Sequence, residues 1–234
     1  MTDPARSLIV INPNSTQAVT DGIARALRPF EGQGVPITCL TLAEGPPGIE
    51  NQRQADLTIA PMLRLAASYE AEAAGYVIAC FGDPGLHALR DQTARPVVGI
   101  QEASVLTALS LGQRFGVIAI LPASIPRHMR AFGAMGVLDR LAGDRALGLG
   151  VLELADKDRT RRAMIDVGKR LRDEDGADVL ITGCAGMAEL RAPLEDATGL
   201  PVVEPCQAAA AMALGLIALD LKHRSPAQEA SNHA

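Results

Sequence analysis

A chain of 234 residues has room for one large domain or for two small ones sharing a core. A formal charge of −5 with mixed signs, 48% hydrophobic and 21% charged residues exclude a basic nucleic-acid stripe and a disordered or collagen-like polymer. No apolar run reaches the ~18 residues of a membrane span, "MTDPARS" has no signal-peptide core, and four cysteines are too few for a disulfide scaffold, so a cytoplasmic protein with free thiols and neither membrane nor nucleic acid as partner is expected.

Short Val/Ile/Leu runs alternate with longer amphipathic stretches, the pattern of βα units around a parallel sheet. The first strand is expected at 7–11. It runs into "NPNS", where Asn14, Ser15 or Thr16 caps a helix over 15–28 or offers polar groups to a ligand. A second strand, 36–41, carries Cys39 as a core residue, and "EGPPGIENQRQ" (44–54) reads as a rigid loop able to close over a cleft. A helix over 54–74 leads to a strand at 76–80, which ends in Cys80 and "FGDPGL"; Asp83 is read as the cap of the helix after Cys80. Strands follow at 97–100 and 115–120, with helices at 102–112 and 125–135. The segment 137–147 is a connector of unassigned structure, and 148–153 reads as a strand. A helix over 157–174, a strand at 178–182 ending near Cys184, a strand at 201–204 and a helix over 206–221 complete the core, followed by a polar, frayed tail from Lys222. His87, His128 and "DKDRTRR" (156–162) are read as solvated helix surface, and Cys206 as structural. The histidines are scattered and no Cys-x-x-Cys occurs, so no metal site is expected.

The chain repeats itself. "PVVGIQEASVLTALSL" begins at Pro96 and "PVVEPCQAAAAMALGL" at Pro201, with seven of sixteen positions identical. Cys80 and Cys184 match at nearly the same offset, and "NPNS" (12–15) meets "LPAS" (121–124). The expected fold is therefore α/β, with two pseudo-symmetric lobes: residues 1–101 with 209–234, and residues 102–208. Each lobe is a mostly parallel four-stranded sheet flanked by helices, with the active site in the cleft between them. A single strand-end cysteine is more often a buried hydrophobe than a catalyst. Two of them, placed symmetrically in glycine-flanked turns at strand ends, would converge on one cleft from opposite sides. That arrangement suits a racemase in which one thiol removes a proton and the other returns one, provided a helix start holds one thiol near its thiolate form. Gly82, Gly85, Gly183 and Gly186 would let backbone N–H groups approach a developing enolate.

"INPNST" (11–16), "ACFGDPGL" (79–86) and "GCAGMAEL" (183–190) together resemble the hydantoin racemase branch, which includes allantoin racemase, of the aspartate/glutamate racemase superfamily. The resemblance implies that Cys80 and Cys184 are the proton donor–acceptor pair. It also implies that Asn12, Pro13, Asn14 and Ser15, with Phe81–Gly82 and Ala185–Gly186, surround the substrate ring. No metal or organic cofactor is implied; the partner is a small cyclic ureide or carboxylate-like substrate, and homo-oligomers are common. Two positions depart from the family pattern. Ala119–Ile120 stand where a Thr-Thr pair is usual, with Ser124 nearby, and Gly48 replaces Ser before Ile49 in the 44–54 loop. Ile120, Ser124, Gly48 and Ile49 are counted among the substrate contacts. The alternatives are an amino-acid racemase, a maleate isomerase, a decarboxylase, or a non-catalytic binding protein on the same scaffold. Decarboxylases keep one of the two cysteines, and aspartate/glutamate racemases follow the first with Asn-Thr rather than Phe81-Gly82.

Overall fold

The structure, a computed structural model, describes residues 6–224. Strands β1 (Ser7–Asn12), β2 (Ile37–Thr41), β3 (Ala73–Ile78) and β4 (Val97–Gly99) form one sheet in the order β2-β1-β3-β4. Strands β5 (Phe115–Ala119), β6 (Leu141–Ala146), β7 (Val179–Thr182) and β8 (Val202–Val203) form the other, in the order β6-β5-β7-β8. Every strand pair is parallel. The second half thus repeats the strand order of the first, as the sequence repeat requires.

Helices α1 (Gln17–Ala26), α2 (Gln52–Leu57), α3 (Ile59–Ser68) and α4 (Leu86–Gln92) belong to the first half of the chain. They are followed by α5 (Ile100–Leu111), α6 (Ile125–Met135), α7 (Lys157–Asp173), α8 (Arg191–Thr198) and α9 (Pro205–Ala218). The inner strands β1, β3, β5 and β7 are buried along nearly their whole length, because helices cover both faces; this is why they read as continuous apolar runs. The edge strands β2 and β6 are only half-buried. Helices α5 and α9, rich in alanine and apolar, pack against each other; α9 also lies on β3 and β4, and α5 on β5 and β7. One apolar cluster therefore runs from Leu8 and Val77 through Ala103, Ala209 and Ala213 to Phe115 and Val179.

Cys39 in β2 packs half-buried against this cluster, and burial pushes its thiol up to about 11. Cys39→Ala should lower the melting temperature by a few degrees, the effect of removing about one buried methyl-sized group. Turnover should stay within about twofold of wild type, since no reacting group is touched. Thermal unfolding and kinetics on one preparation test both halves.

Four expectations are corrected. The strand expected at 148–153 is a turn: Gly148 takes a left-handed φ of +75° and Val151–Ala155 is a 3-10 helix. There the Glu153 carboxylate accepts the Gly150 N–H at 2.9 Å, which a straight strand would forbid. The strand lies instead in the unassigned segment, as β6, whose edge position lets "LAGDRA" carry an Asp and an Arg. The helix expected over 54–74 breaks at Thr58, three residues before Pro61, whose missing N–H cannot continue the first helix, and it stops at Ser68 so that β3 can begin at Ala73. Finally, the start of the tail is held, because His223 accepts the Val97 N–H through Nε2 at 3.0 Å; residues 225–234 lie outside the described residues.

Candidate active site

In a parallel sheet ordered 2-1-3-4 the crossovers from the central strand diverge, leaving a crevice at the carboxyl ends of strands 1 and 3, and this is where such sheets bind ligands. The protein has two such crevices, beyond β1/β3 and β5/β7. Residues from all four strand ends line a single cavity: Asn14 after β1, Cys80 and Phe81 after β3, Ile120 and Ser124 after β5, and Cys184 after β7. Ile49, Ala185 and Gly186 complete the sequence-predicted residues that it brings together. Its volume is about 30 Å³, room for water but not for a five-membered ring.

The remaining predicted residues stand behind this wall. Asn12 is buried, donating through Nδ2 to Asn14 Oδ1 and Thr20 Oγ1 at 3.0 Å each, while its Oδ1 accepts the Asn14 N–H. Asn14 Oδ1 also accepts the Thr16 N–H at 2.9 Å, which leaves the Asn14 NH2 group for a ligand. Pro13 and Ser15 fix the loop that closes over: a Cβ on Gly45 would meet the Pro13 carbonyl oxygen, and the Ser15 N–H donates to Pro46 O at 2.9 Å. Gly48 is pressed on Val151, where a Cβ would lie 2.8 Å from the valine Cβ. The Ser usual at this position would clash there as it stands. Glu50 ties the same loop down by accepting the Val151 N–H at 2.9 Å. Gly82, at a φ of +123°, lets the Cys80 turn pass close to Arg127.

The two thiols differ from expectation in their electrostatics. Neither stands at the start of an α-helix: Cys80 is followed by the turn through Gly82, Asp83 and Gly85, and Cys184 by a 3-10 helix, Ala185–Leu190. Burial pushes Cys80 up to about 12 and Cys184 up to about 11. Each also feels opposing influences. The Gly186 N–H donates to Cys184 Sγ at 3.4 Å and favours its thiolate; the Arg127 charge favours the thiolate of both.

Asp83 does not cap the helix after Cys80. Its carboxylate accepts the Gln101 and Glu102 N–H groups, at 2.9 and 2.8 Å, and so ties the Cys80 turn to the start of α5. Gly99 makes room for it, since a Cβ there would lie 2.2 Å from Asp83 Cγ. Glu204 caps α9 likewise, accepting the Cys206 and Gln207 N–H groups at 3.1 and 2.7 Å. Burial pushes both carboxyl groups up to about 7. A carboxyl raised on folding favours the protonated native state, so its contribution is fully present below about pH 4 and is lost as pH rises through about 7. The melting temperature of wild type relative to Glu204→Gln should therefore fall between pH 5 and pH 8; a gap that widens with pH would contradict the assignment.

Arg127 and His128 were not legible as site residues. His128, expected on the surface, is buried, with Nδ1 2.8 Å from Asp144 Oδ2 and its ring 4.9 Å edge-on to Phe81, which it props against the cavity. Arg127 lines the cavity itself and is its only charged side chain among the described residues. The available signal was spacing: Arg127 lies three residues after Ser124, on the same face of a helix start. Cys206 is fully buried in the core, and His87 is exposed, as expected. Among the described residues no group of three His, Cys, Asp or Glu side chains is placed to hold a metal ion, and no helix is long and apolar enough to cross a membrane.

The family model for Asp/Glu/Hydantoin racemase matches residues 8–213. The chain belongs to the Asp/Glu/hydantoin racemase family. It is 34% identical to a hydantoin racemase of Paenarthrobacter aurescens over 91% of each chain. A hydantoin racemase of Pseudomonas sp. (strain NS671) is 38% identical, over 83% of this chain and 79% of that one. The crystal structure of allantoin racemase from Pseudomonas fluorescens superposes with a TM-score of 0.90 at 30% identity, over 93% of each chain. The protein is thus an enzyme of the racemase class, with the two-lobed α/β fold of that family.

Proposed function

We propose that the protein racemises 5-substituted hydantoins or a related cyclic ureide by cofactor-independent, two-base proton transfer at C5. The observation that carries this reading is the meeting of Cys80 and Cys184, from equivalent loops of a duplicated sheet, in one buried cavity. One thiol, as thiolate, takes the C5 proton. The C–H electron pair passes into the adjacent carbonyl as an enolate, and the opposite thiol delivers its proton to the other face. A C5 proton next to a carbonyl is acidic enough for this chemistry without an added electron sink. Asn14, Ser124, Phe81 and Ala185–Gly186 then hold the ring, and Asn12, Pro13, Ser15, Gly48 and Gly82 shape the loops that carry them. An adjoining cavity of about 220 Å³ shares Val19, Val151, Ala185 and Gly186 with the first and offers space for the ring substituent. The reading includes a cytoplasmic homo-oligomer. It divides the chain into residues 1–101 with 209–234, and 102–208, a division favoured by α9 lying on the first sheet and α5 on the second.

The test is loss of the C5 proton signal in deuterated buffer for 5-alkyl hydantoin, 5-benzyl hydantoin and allantoin, with aspartate and maleate as controls. Enzyme-dependent exchange of a cyclic ureide, unchanged by a metal chelator, is expected. Exchange of aspartate alone would contradict the substrate class.

A further inference from the structure

We propose that Arg127 is a third catalytic group, whose guanidinium takes the enolate oxygen formed when a thiol removes the substrate proton. This rests on the racemase reading above and deepens it.

Arg127 stands near the start of α6 and is 8% exposed. Among the described residues its Nε and NH1 groups have no hydrogen-bond partner. A buried guanidinium with unfilled donors is costly, several kcal/mol before relaxation, and a fold keeps one where something else supplies the anion. Among the described residues no carboxylate bonds Arg127: Asp83, Glu50 and Glu204 accept backbone N–H groups elsewhere, and Asp144 gives Oδ2 to His128 while its Oδ1 is unbonded. The guanidinium borders the reaction space. It lines the cavity with both cysteines, and a Cβ on Gly82, in the Cys80 turn, would lie 3.6 Å from its Cζ.

Position decides what it would bind. Arg127 lines the same small cavity as Cys80 and Cys184, which places it beside the space where a carbon between the two sulfurs would sit. The atom that gains charge there is the carbonyl oxygen one bond removed from that carbon. Ala119 and Ile120, at the end of β5, bring no side-chain donor to it, whereas the planar guanidinium brings several. As the C–H bond breaks, its electron pair moves to this oxygen and the charge meets Arg127. When the opposite thiol protonates the carbon, the carbonyl re-forms and the charge returns to sulfur. Atoms and charge balance with no further reactant. The same cation offsets part of the burial that holds both thiols neutral.

Arg127→Met and Arg127→Lys test the assignment on a neutral 5-alkyl hydantoin. Loss of one oxyanion donor costs about 10²–10³-fold in rate. Arg127→Met is therefore expected to lose that much kcat with KM within about threefold, and Arg127→Lys to recover part of it. Arg127→Met should melt no lower than wild type, because it removes an unpaired buried charge, and alkylation of both cysteines by iodoacetamide should need a higher pH. Wild-type kcat in Arg127→Met, or a loss confined to KM, would overturn the proposal. So would a collapse of melting temperature without a shift in alkylation, the mark of a merely structural arginine. Failure of the racemase reading is visible separately, as absence of C5 exchange in wild type, and would overturn both.

Discussion

Cys80→Ala and Cys184→Ala are each expected to abolish racemisation, with rates lower by about 10²–10⁴-fold, the usual worth of a positioned acid or base. Each variant should still fold. Both thiols sit in loops beyond strand ends, and removing one sulfur there costs about 1 kcal/mol, a small part of a domain's stability. Cys→Ser should lose most of the rate as well, because a hydroxyl is a far weaker acid than a thiol and a poor base at neutral pH. The pH dependence follows from burial. With Cys80 pushed up to about 12 and Cys184 up to about 11, little thiolate exists at neutrality, so kcat/KM should climb with pH through roughly pH 7 to 9 before any plateau. A rate independent of pH over that range would contradict a base held neutral by burial.

Gly183→Ala is the second large effect, and it acts without touching either sulfur. A Cβ at Gly183 would lie 2.7 Å from the Ile118 carbonyl oxygen, which accepts the Gly183 N–H at 2.9 Å. Neither atom yields easily, because both are backbone at the junction of β5 and β7, so the added methyl must push the Cys184 turn away from the cavity. A misplacement of about 1 Å in a reacting group costs on the order of 10²-fold in rate. Gly183→Ala should therefore lose roughly that much activity while its secondary structure, read by circular dichroism, stays intact. Gly199→Ala is the useful control. It lies at a left-handed φ of +70° with no atom of the described residues within 4 Å of its Cβ, so strain without displacement of a thiol should lower stability alone.

The parts of this molecule that were readable in the sequence are those whose physics is local or repeated. The strands β1, β3, β5 and β7 announced themselves because burial on both faces forces near-continuous apolar runs. Cys80 and Cys184 stood out because a duplication placed them alike. Strand β6 was hidden because an edge strand has one half-wet face and tolerates Asp144 and Arg145. "LGVLEL" misled because its apolar residues serve a 3-10 turn buried under α7 rather than a sheet. His128 and Arg127 were hidden for a related reason. Charged and imidazole side chains on a helix are ordinarily solvated, and only tertiary packing of α6 across the site shows that these two point inward. The carboxylates Asp83 and Glu204 show the same limit from another side: a cap is legible as a residue type, but which helix it caps depends on how the loops cross.

The central claim is that two thiols act on opposite faces of one carbon. It is tested most directly by giving each pure enantiomer of a 5-alkyl hydantoin, in deuterated buffer, to Cys80→Ala and to Cys184→Ala, and following C5 exchange and optical rotation together against an enzyme-free blank. Each variant retains the thiol on one face. The expected result is that neither racemises, and that Cys80→Ala exchanges the C5 proton of one enantiomer without inverting it while Cys184→Ala does so for the other. Racemisation at the wild-type rate by either variant, or exchange of the same enantiomer by both, would contradict the two-base account.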